Sequence, residues 1–162
     1  MNVKFEELPE DSRIWVYQSN RRFSEEEISE ISIELESFLK SWTSHTKPIR
    51  SAFQIKYNRF IFIAVDKDFE TSGCSIDSSV SFIQSLEKKY KVDLLDKMNV
   101  AYKTDNEIEF ISLADFKSLL KSKSISEDTI VFNNLVSNIF EYSSNWETSI
   151  KNSWHSRFLL KN

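Results

Sequence analysis

The stretch AFQIKYNRFIFIAV, residues 52–65, decides the fold because it places two different strand patterns in direct succession. Residues 52–57 alternate apolar and polar side chains, which is typical of a strand at the edge of a sheet. Residues 59–65 are almost continuously apolar, which is typical of a central strand buried on both faces. Asn58 favours a tight turn between the two. We therefore predict an antiparallel pair, with one long strand as the alternative.

Patterns on both sides of this pair predict the elements that cover it. Upstream, residues 13–19 form a strand pattern, and Ser24 with Glu27 has the spacing of a helix capping box. The apolar residues of the following helix fall on one stripe: Ile28, Ile31, Leu35, Phe38, Leu39 and Trp42. A second amphipathic helix is predicted from Val80, Ile83, Leu86 and Tyr90. Residues 98–102 then predict a further strand.

The order of these elements predicts an α+β fold. Residues 12–103 contain strand, helix, strand, strand, helix and strand, which is the order of a ferredoxin-like βαββαβ core. In that core an antiparallel sheet carries both helices on one face. Residues 104–162 predict a C-terminal α/β extension with a hairpin, a short helix, a strand and a docked tail. We assign residues 1–162 to a single domain.

Composition limits the classes of function. The formal net charge is −4, and basic residues are scattered among acidic ones, so no basic field is available for nucleic acid or anionic lipid. The longest apolar run, residues 60–65, is too short to cross a bilayer, and the first residues lack the pattern of a signal peptide. We expect a cytoplasmic protein that binds neither nucleic acid nor membrane.

The residues available for metal or cofactor binding are few. One cysteine cannot form an internal disulfide, and with two histidines it is too small a set for a zinc site of Cys and His alone. Metal binding by Cys74, His45, His155 and one carboxylate is an alternative that no paired spacing supports. The P-loop that holds nucleotide phosphates needs two glycines, and the chain has one. We therefore predict no metal and no cofactor.

The stretch TSGCSIDSS, residues 71–79, contains the only glycine and the only cysteine of the chain. Gly73 is expected at a turn that needs positive φ, and Ser75 or Asp77 is expected to cap the helix that follows. Cys74 would then lie at a helix N-terminus, where the helix dipole favours a thiolate. The alternative is that Cys74 is a small buried apolar side chain.

The predicted topology brings a histidine to the same place. The loop after the first helix and the loop before the second helix lie at the same end of the sheet, so His45 is expected near Cys74. Asp66, Asp68 or Asp77 could orient its imidazole. The alternative is that His45 packs beside Trp42 or caps the helix end. These three residues, Cys74, His45 and Asp77, are the catalytic candidates.

Candidates for ligand binding lie in the same loop and in the C-terminal tail. They are Ser72, Gly73, Ser75, His155 and Arg157. If the tail reached the loop, His155 and Arg157 would form an anion-binding corner beside a helix N-terminus. The alternative is a packing anchor, because Trp154 and Phe158 are spaced to be buried together.

Seven stretches across nearly the full length carry a resemblance to a known family. They are RIWVYQSNR (13–21), WTSH (42–45), YNRFIFIAVD (57–66), SGCSIDSSVSFI (72–83), VDLLDKMNV (92–100), TIVFNNLV (129–136) and SWHSRF (153–158). With them the chain resembles a family of small uncharacterised bacterial proteins that often carry the label "ABC transporter ATPase". The resemblance implies no established activity, and the single glycine argues against the label.

A shorter resemblance concerns the C-terminal half. Residues 110–132 resemble the helix-then-strand part of small GYF-like modules, which bind peptides through an aromatic surface. The chain lacks the glycines and the aromatic trio of those modules.

Two functional hypotheses follow. The first is a non-enzymatic binding or interaction module with a protein or small-molecule partner, or a homodimer formed through the open sheet face or an edge strand. The second is a small cysteine-dependent enzyme, a hydrolase or transferase. Cys74 would be its nucleophile, His45 or His155 its base, and the amides of residues 75–78 its oxyanion donors.

Overall fold

The computed structural model describes residues 1–69 and 71–159 of the chain. The fold is α+β, and all the sheets in the described part are antiparallel. The chain divides into two compact units, one formed by Met1–Leu95 with Ser137–Phe140 and the other by Asp96–Val136 with Glu141–Asn162. The prediction of one domain over 1–162 stays a prediction, and the last three residues of the predicted tail, 160–162, lie outside the described residues.

The first unit is built around a three-stranded sheet of order β1-β5-β4. In chain order its elements are a 3-10 turn (Phe5–Glu7), β1 (Arg13–Gln18), α1 (Glu25–Ser41), β2 (Thr43–Ser44), β3 (Lys47–Pro48), β4 (Ser51–Lys56), β5 (Phe60–Val65) and α2 (Gly73–Tyr90). All six residues of β5 are buried, and Tyr57 and Asn58 both have positive φ in the turn before it. The predicted edge strand, tight turn and central strand are confirmed.

Both helices pack on one face of this sheet, as predicted. Helix α1 begins with the predicted capping box, in which the Glu27 N–H donates to Ser24 Oγ at 3.1 Å and the Ser24 N–H donates to the Glu27 carboxylate at 2.9 Å. The apolar stripe of α1 and that of α2 share one core with alternate residues of β5: Ile31, Leu35, Leu39, Ile61, Ile63, Val65, Ile83 and Leu86. Burying each such side chain contributes roughly 1.5–3 kcal/mol.

The opposite face of the sheet is not open. Its side chains include Ile14, Phe60, Phe62 and Ala64, which alternate with the helix-facing residues, and all four are buried. The expectation of an open sheet face is therefore wrong, since the strand β5 is apolar on both sides and both sides are covered.

The second unit contains a four-stranded sheet of order β7-β6-β8-β9. Its elements are β6 (Asn99–Thr104), β7 (Glu107–Ser112), α3 (Leu113–Lys121), β8 (Ile130–Phe132), α4 (Ile139–Asn145, whose first two residues belong to the first unit), β9 (Glu147–Ser149) and 3-10 turns at Ile150–Asn152 and Trp154–Phe158. The hairpin, short helix and strand expected in the C-terminal extension are present. The predicted end of the core, residue 103, falls inside β6.

The ferredoxin-like βαββαβ sheet is not formed, because its predicted last strand belongs to the second unit. This strand is β6, and both of its edges are occupied there: Ala101 pairs with Phe110 of β7, and Tyr102 pairs with Val131 of β8. Pairing with β7 closes only the short turn between the two strands, so it costs little conformational entropy. Element order alone does not reveal which of several strands will take an edge.

The place beside β1 is filled by a segment from much later in the chain. The Ile14 N–H donates to the Ser137 carbonyl at 3.1 Å, and the Ile139 N–H donates to the Ser12 carbonyl at 3.1 Å. Arg13 and Asn138 thereby form an antiparallel bridge. The edge of β1 is thus covered at its beginning.

Candidate functional site

The loop before α2 forms a helix cap and does not need the conformational freedom of glycine. The Ser75 N–H donates to Ser72 Oγ at 3.2 Å, and the Ser72 N–H donates to Ser75 Oγ at 2.7 Å. Ser72 is therefore the capping residue, so the prediction of Ser75 or Asp77 in that role is wrong, and Ser75 is its reciprocal partner. Gly73 is the first helical residue and has negative φ, so the predicted positive-φ turn is also wrong. The capping box, and not a glycine with positive φ, fixes the chain at the start of α2.

Cys74 is exposed at the second residue of α2. Its position at a helix N-terminus agrees with the prediction, whereas the alternative of a buried thiol is wrong. All four amides predicted as oxyanion donors are already bonded. The Ser75 N–H donates to Ser72 Oγ and the Ile76 N–H donates to the Ser72 carbonyl at 3.0 Å. The amides of Asp77 and Ser78 lie inside α2, where they belong to the helical hydrogen-bond ladder. Asp77 is exposed one turn further along the helix.

The two loops do meet at one end of the sheet, but the contact is made by tryptophan. Trp42 follows α1, and its indole N–H donates to the Ser75 carbonyl at 2.9 Å. His45 is exposed at the turn between β2 and β3, with φ of 51°. Within residues 1–69 and 71–159, no hydrogen bond or ion pair joins His45 to Cys74 or Asp77. The structure therefore brings the loops together without forming the predicted catalytic triad.

His155 lies in the second unit and is 1% exposed. Its Nδ1 is 2.7 Å from Ser153 Oγ, its ring stacks on Trp154 at 3.9 Å between centroids, and its ring meets Phe116 edge-on at 5.6 Å. Burial and, to a smaller extent, the positive charge of Arg157 together lower the pKa of His155 from 6.5 to about 4. A neutral, enclosed imidazole agrees with a packing anchor and offers no charge to an anion.

Arg157 is exposed, and its guanidinium lies 5.6 Å from the centre of the Trp154 ring. It thus stacks on an aromatic side chain of its own unit. The structure describes His155 and Arg157 in one unit and Ser72, Gly73 and Ser75 in the other.

A different feature of the first unit has the geometry of a binding site: the outer edge of β4. At its first residue this edge is paired, because the Ser51 N–H donates to the Met1 carbonyl at 2.9 Å and the Val3 N–H donates to the Ser51 carbonyl at 2.8 Å. Successive residues of an antiparallel strand direct their main-chain groups to opposite sides, so those of Phe53 and Ile55 point outward like those of Ser51. Among the described residues, none bonds to these groups of Phe53 and Ile55.

A groove of about 510 Å³ lies beside this open edge. Its lining consists of residues 2–7, Glu36, Phe53 and Gln54. Val3, Phe5 and Phe53 are partly buried and give the groove an apolar part, whereas Glu6 and Glu36 are exposed. The groove therefore combines unpaired main-chain groups, apolar surface and carboxylates.

Sequence reasoning identified the edge strand but not the groove beside it. The N-terminal segment is held there by its amino group, which donates to the carbonyls of Leu39 at 3.1 Å and Ile49 at 2.8 Å. The only local signal is the alternation of Val3 and Phe5 with polar neighbours, and it covers too few residues to predict a partner.

No protein-family model, curated protein or solved structure matches this chain. In the described part of the chain, no three His, Cys, Asp or Glu side chains cluster closely enough to hold a metal ion. Each helix in that part is too short or too polar to cross a membrane. A function must therefore be inferred from the geometry of the two sites described above.

Proposed function

We propose that the chain is a non-enzymatic interaction module that binds another polypeptide in extended conformation along the outer edge of β4. The observation that carries this proposal is the pair of outward-facing residues Phe53 and Ile55, whose main-chain groups have no partner among the described residues. A strand added to such an edge obtains affinity from main-chain hydrogen bonds and specificity from adjacent pockets.

The surroundings of the edge support this mode of binding. Exposed edges attract other chains, and folded proteins usually cover them or place charges on them. On β4 the cover lies at the first residue, Ser51, and the exposed Lys56 lies only at the last one, while the groove of about 510 Å³ leaves space beside Phe53 between them. A polypeptide bound there would extend the β1-β5-β4 sheet by one strand.

A random-peptide library displayed on phage tests the proposal directly. Peptides selected by the immobilised chain should slow hydrogen exchange at the amides of Phe53 and Ile55 while leaving exchange at Ala52 and Gln54 nearly unchanged, because the latter face β5. If the selected peptides protect other amides and not these two, edge binding is refuted.

The second candidate function is the cysteine-dependent enzyme, and the observation in its favour is the exposed thiol at the second residue of α2. Thiols in such positions are often reactive. The enzyme hypothesis expects iodoacetamide to modify Cys74 at neutral pH at least about ten times faster in the folded chain than in the urea-unfolded chain. An equal or slower rate in the folded chain would eliminate it.

Two further sequence-based predictions belong to the proposal. They are membership in the family of small bacterial proteins and a cytoplasmic location. A homodimer formed through an edge strand, which the sequence also predicted, would pair β4 of one copy with β4 of another and is the competing occupant of this edge. Sedimentation velocity over a range of concentrations would detect it.

A further inference from the structure

The charges around the β4 groove indicate what kind of segment it receives. We infer that the bound segment carries lysine or arginine residues alternating with apolar ones, an inference that rests on the proposed function above. Three carboxylates line the groove, those of Glu6, Glu7 and Glu36, against the single ammonium group of Lys4. An incoming segment therefore meets a surplus of negative charge.

Two of these carboxylates are available to a ligand. The Glu7 carboxylate already accepts the Lys4 N–H at 2.9 Å, as part of the 3-10 turn. Glu6 and Glu36 are exposed, and no described residue forms a hydrogen bond or an ion pair with either carboxylate. Positive side chains on a bound strand would find two unoccupied partners in the groove.

The apolar part of the groove explains why the positive charges should lie on long side chains separated by apolar ones. Phe53 and Glu36 both line the groove, the first on β4 and the second on α1. A lysine or arginine stem can cover apolar surface such as the Phe53 ring while its charged end reaches a carboxylate. Because side chains of a strand alternate between two faces, the residues between the basic ones point away from that side.

The same charges disfavour a second copy of this chain as the occupant. A β4 strand from another copy would arrive together with its own Glu6 and Glu36, and like charges brought together across an interface are destabilising. The observations therefore favour a different polypeptide with a basic, extended segment.

Three capped octapeptides test the inference: lysine alternating with valine, threonine with valine, and glutamate with valine. Each is titrated into the isotope-labelled chain while the amide resonances of Phe53 and Ile55 are followed by NMR. We expect the lysine peptide to shift both resonances and to bind about tenfold more tightly than the threonine peptide, with the glutamate peptide weakest. Raising the salt concentration should reduce this difference, since the pairs are exposed.

A charge-reversal variant with a matched control locates the effect. Glu36→Lys should weaken binding of the lysine peptide about threefold and strengthen that of the glutamate peptide. Glu10→Lys makes the same change in net charge at an exposed residue outside the groove lining, and it should alter neither affinity beyond the general effect of net charge.

The possible results separate the inference from the proposed function. If none of the peptides moves the Phe53 and Ile55 resonances, edge binding itself is overturned. If all three bind equally well, or if both variants act alike, edge binding stands and the basic segment is overturned. If the chain is a dimer with these two amides protected before any peptide is added, the occupant is a second copy and the inference is overturned.

Discussion

The two edges of the β1-β5-β4 sheet are covered by other segments to different extents. The beginning of β1 is bonded to Ser137–Ile139, and just beyond its end the Asn20 N–H donates to the Asp93 carbonyl at 3.2 Å. On the outer side of β4, Ser51 is bonded, whereas the next two outward-facing residues, Phe53 and Ile55, have no main-chain partner among the described residues. Covering an edge at both ends prevents strand addition, whereas two successive open residues offer the start of a ladder.

The two edges are covered by segments from different parts of the sequence. The cover of β1 comes from residues 137–139, which follow β1 by most of the length of the chain, and the cover of β4 comes from the first three residues. Between its two covers β1 leaves Val16 as a single outward residue with no bonded partner among the described residues. An isolated position of this kind cannot form a ladder, so β4 is the edge to test.

The largest expected effect is on hydrogen exchange. The Ile14 amide, which is bonded to Ser137, should exchange roughly 1,000-fold more slowly than the amides of Phe53 and Ile55. A bonded core amide exchanges only after the structure around it opens, and this opening costs several kcal/mol. NMR-detected exchange measures all three amides in one sample. Slow exchange at Phe53 and Ile55 in the isolated monomer would break the comparison, and Ala52 serves as the bonded control on β4.

Acid should affect the two edges unequally. The folded-state pKa of His155 is about 4, against 6.5 when unfolded, so only the unfolded state gains a proton between these values. Stability should therefore fall by roughly 3 kcal/mol as the pH decreases from 6.5 to 4. The segment Ser137–Phe140, which bonds to β1, continues along the chain into the second unit at both ends. The Ile14 amide should therefore lose protection from exchange when the second unit loses stability, while the Phe53 amide should not change.

Urea unfolding at a series of pH values measures the acid effect on stability. The variant His155→Gln removes the titrating group and should flatten the dependence between pH 6.5 and 4. A slope that persists in the variant would show that another group is responsible and would separate the β1 cover from this histidine.

A third prediction concerns the segment between β1 and α1. Arg21 donates to the Glu27 carboxylate at 2.7 Å and to the Tyr90 carbonyl at 2.7 Å, and its hydrogen bonds, with those of Ser24, lower the pKa of Glu27 to about 2. Glu27→Ala should cost about 1.5 kcal/mol in urea unfolding at neutral pH, since it removes a cap and a charged hydrogen bond. Glu26→Ala, an exposed neighbour, should cost much less.

The sign of the Glu27 contribution can be checked with pH. Its folded-state pKa is below the ordinary value of 4.5, so its stabilisation is present above pH 4.5 and disappears as the pH falls toward 2. The difference in stability between the wild-type chain and Glu27→Ala should therefore shrink in acid. A difference that stays constant down to pH 2 would contradict the assigned charge interaction.

The smallest effect concerns the short cover of β4. Val3→Pro removes the N–H that donates to the Ser51 carbonyl and should cost about 1 kcal/mol in thermal unfolding. Asn2→Pro removes an N–H with no bonded partner in the described structure and is the matched control. Equal costs for the two variants would show that this bond does not hold the N-terminal segment.

Local patterns predicted much of the first unit. The capping box of Ser24 and Glu27, the stripe of α1 and the contrast between an edge strand and β5 are each encoded within fewer than twenty residues, so they could be recognised without tertiary information. The helix start at Ser72 was misplaced because Ser72, Ser75 and Asp77 all lie near Gly73 and each side chain is chemically able to cap a helix.

The candidate sites were less predictable. The contact between Trp42 and Ser75 confirms that two loops meet, but which side chain makes the contact depends on the short β2–β3 hairpin that turns His45 outward. The groove beside β4 depends on the N-terminal segment, whose bonds to Leu39, Ile49 and Ser51 span about forty to fifty residues of sequence.

By itself the sequence determined the longer helices and strands of this chain and the burial of β5, because hydrophobic periodicity and helix caps are local properties of the polypeptide. Only the tertiary structure decided which strand lies beside β1, which edge stays open and where Cys74, His45 and His155 lie. Those outcomes depend on which of several distant segments bonds to the same main-chain groups, and no local sequence pattern indicates which one does.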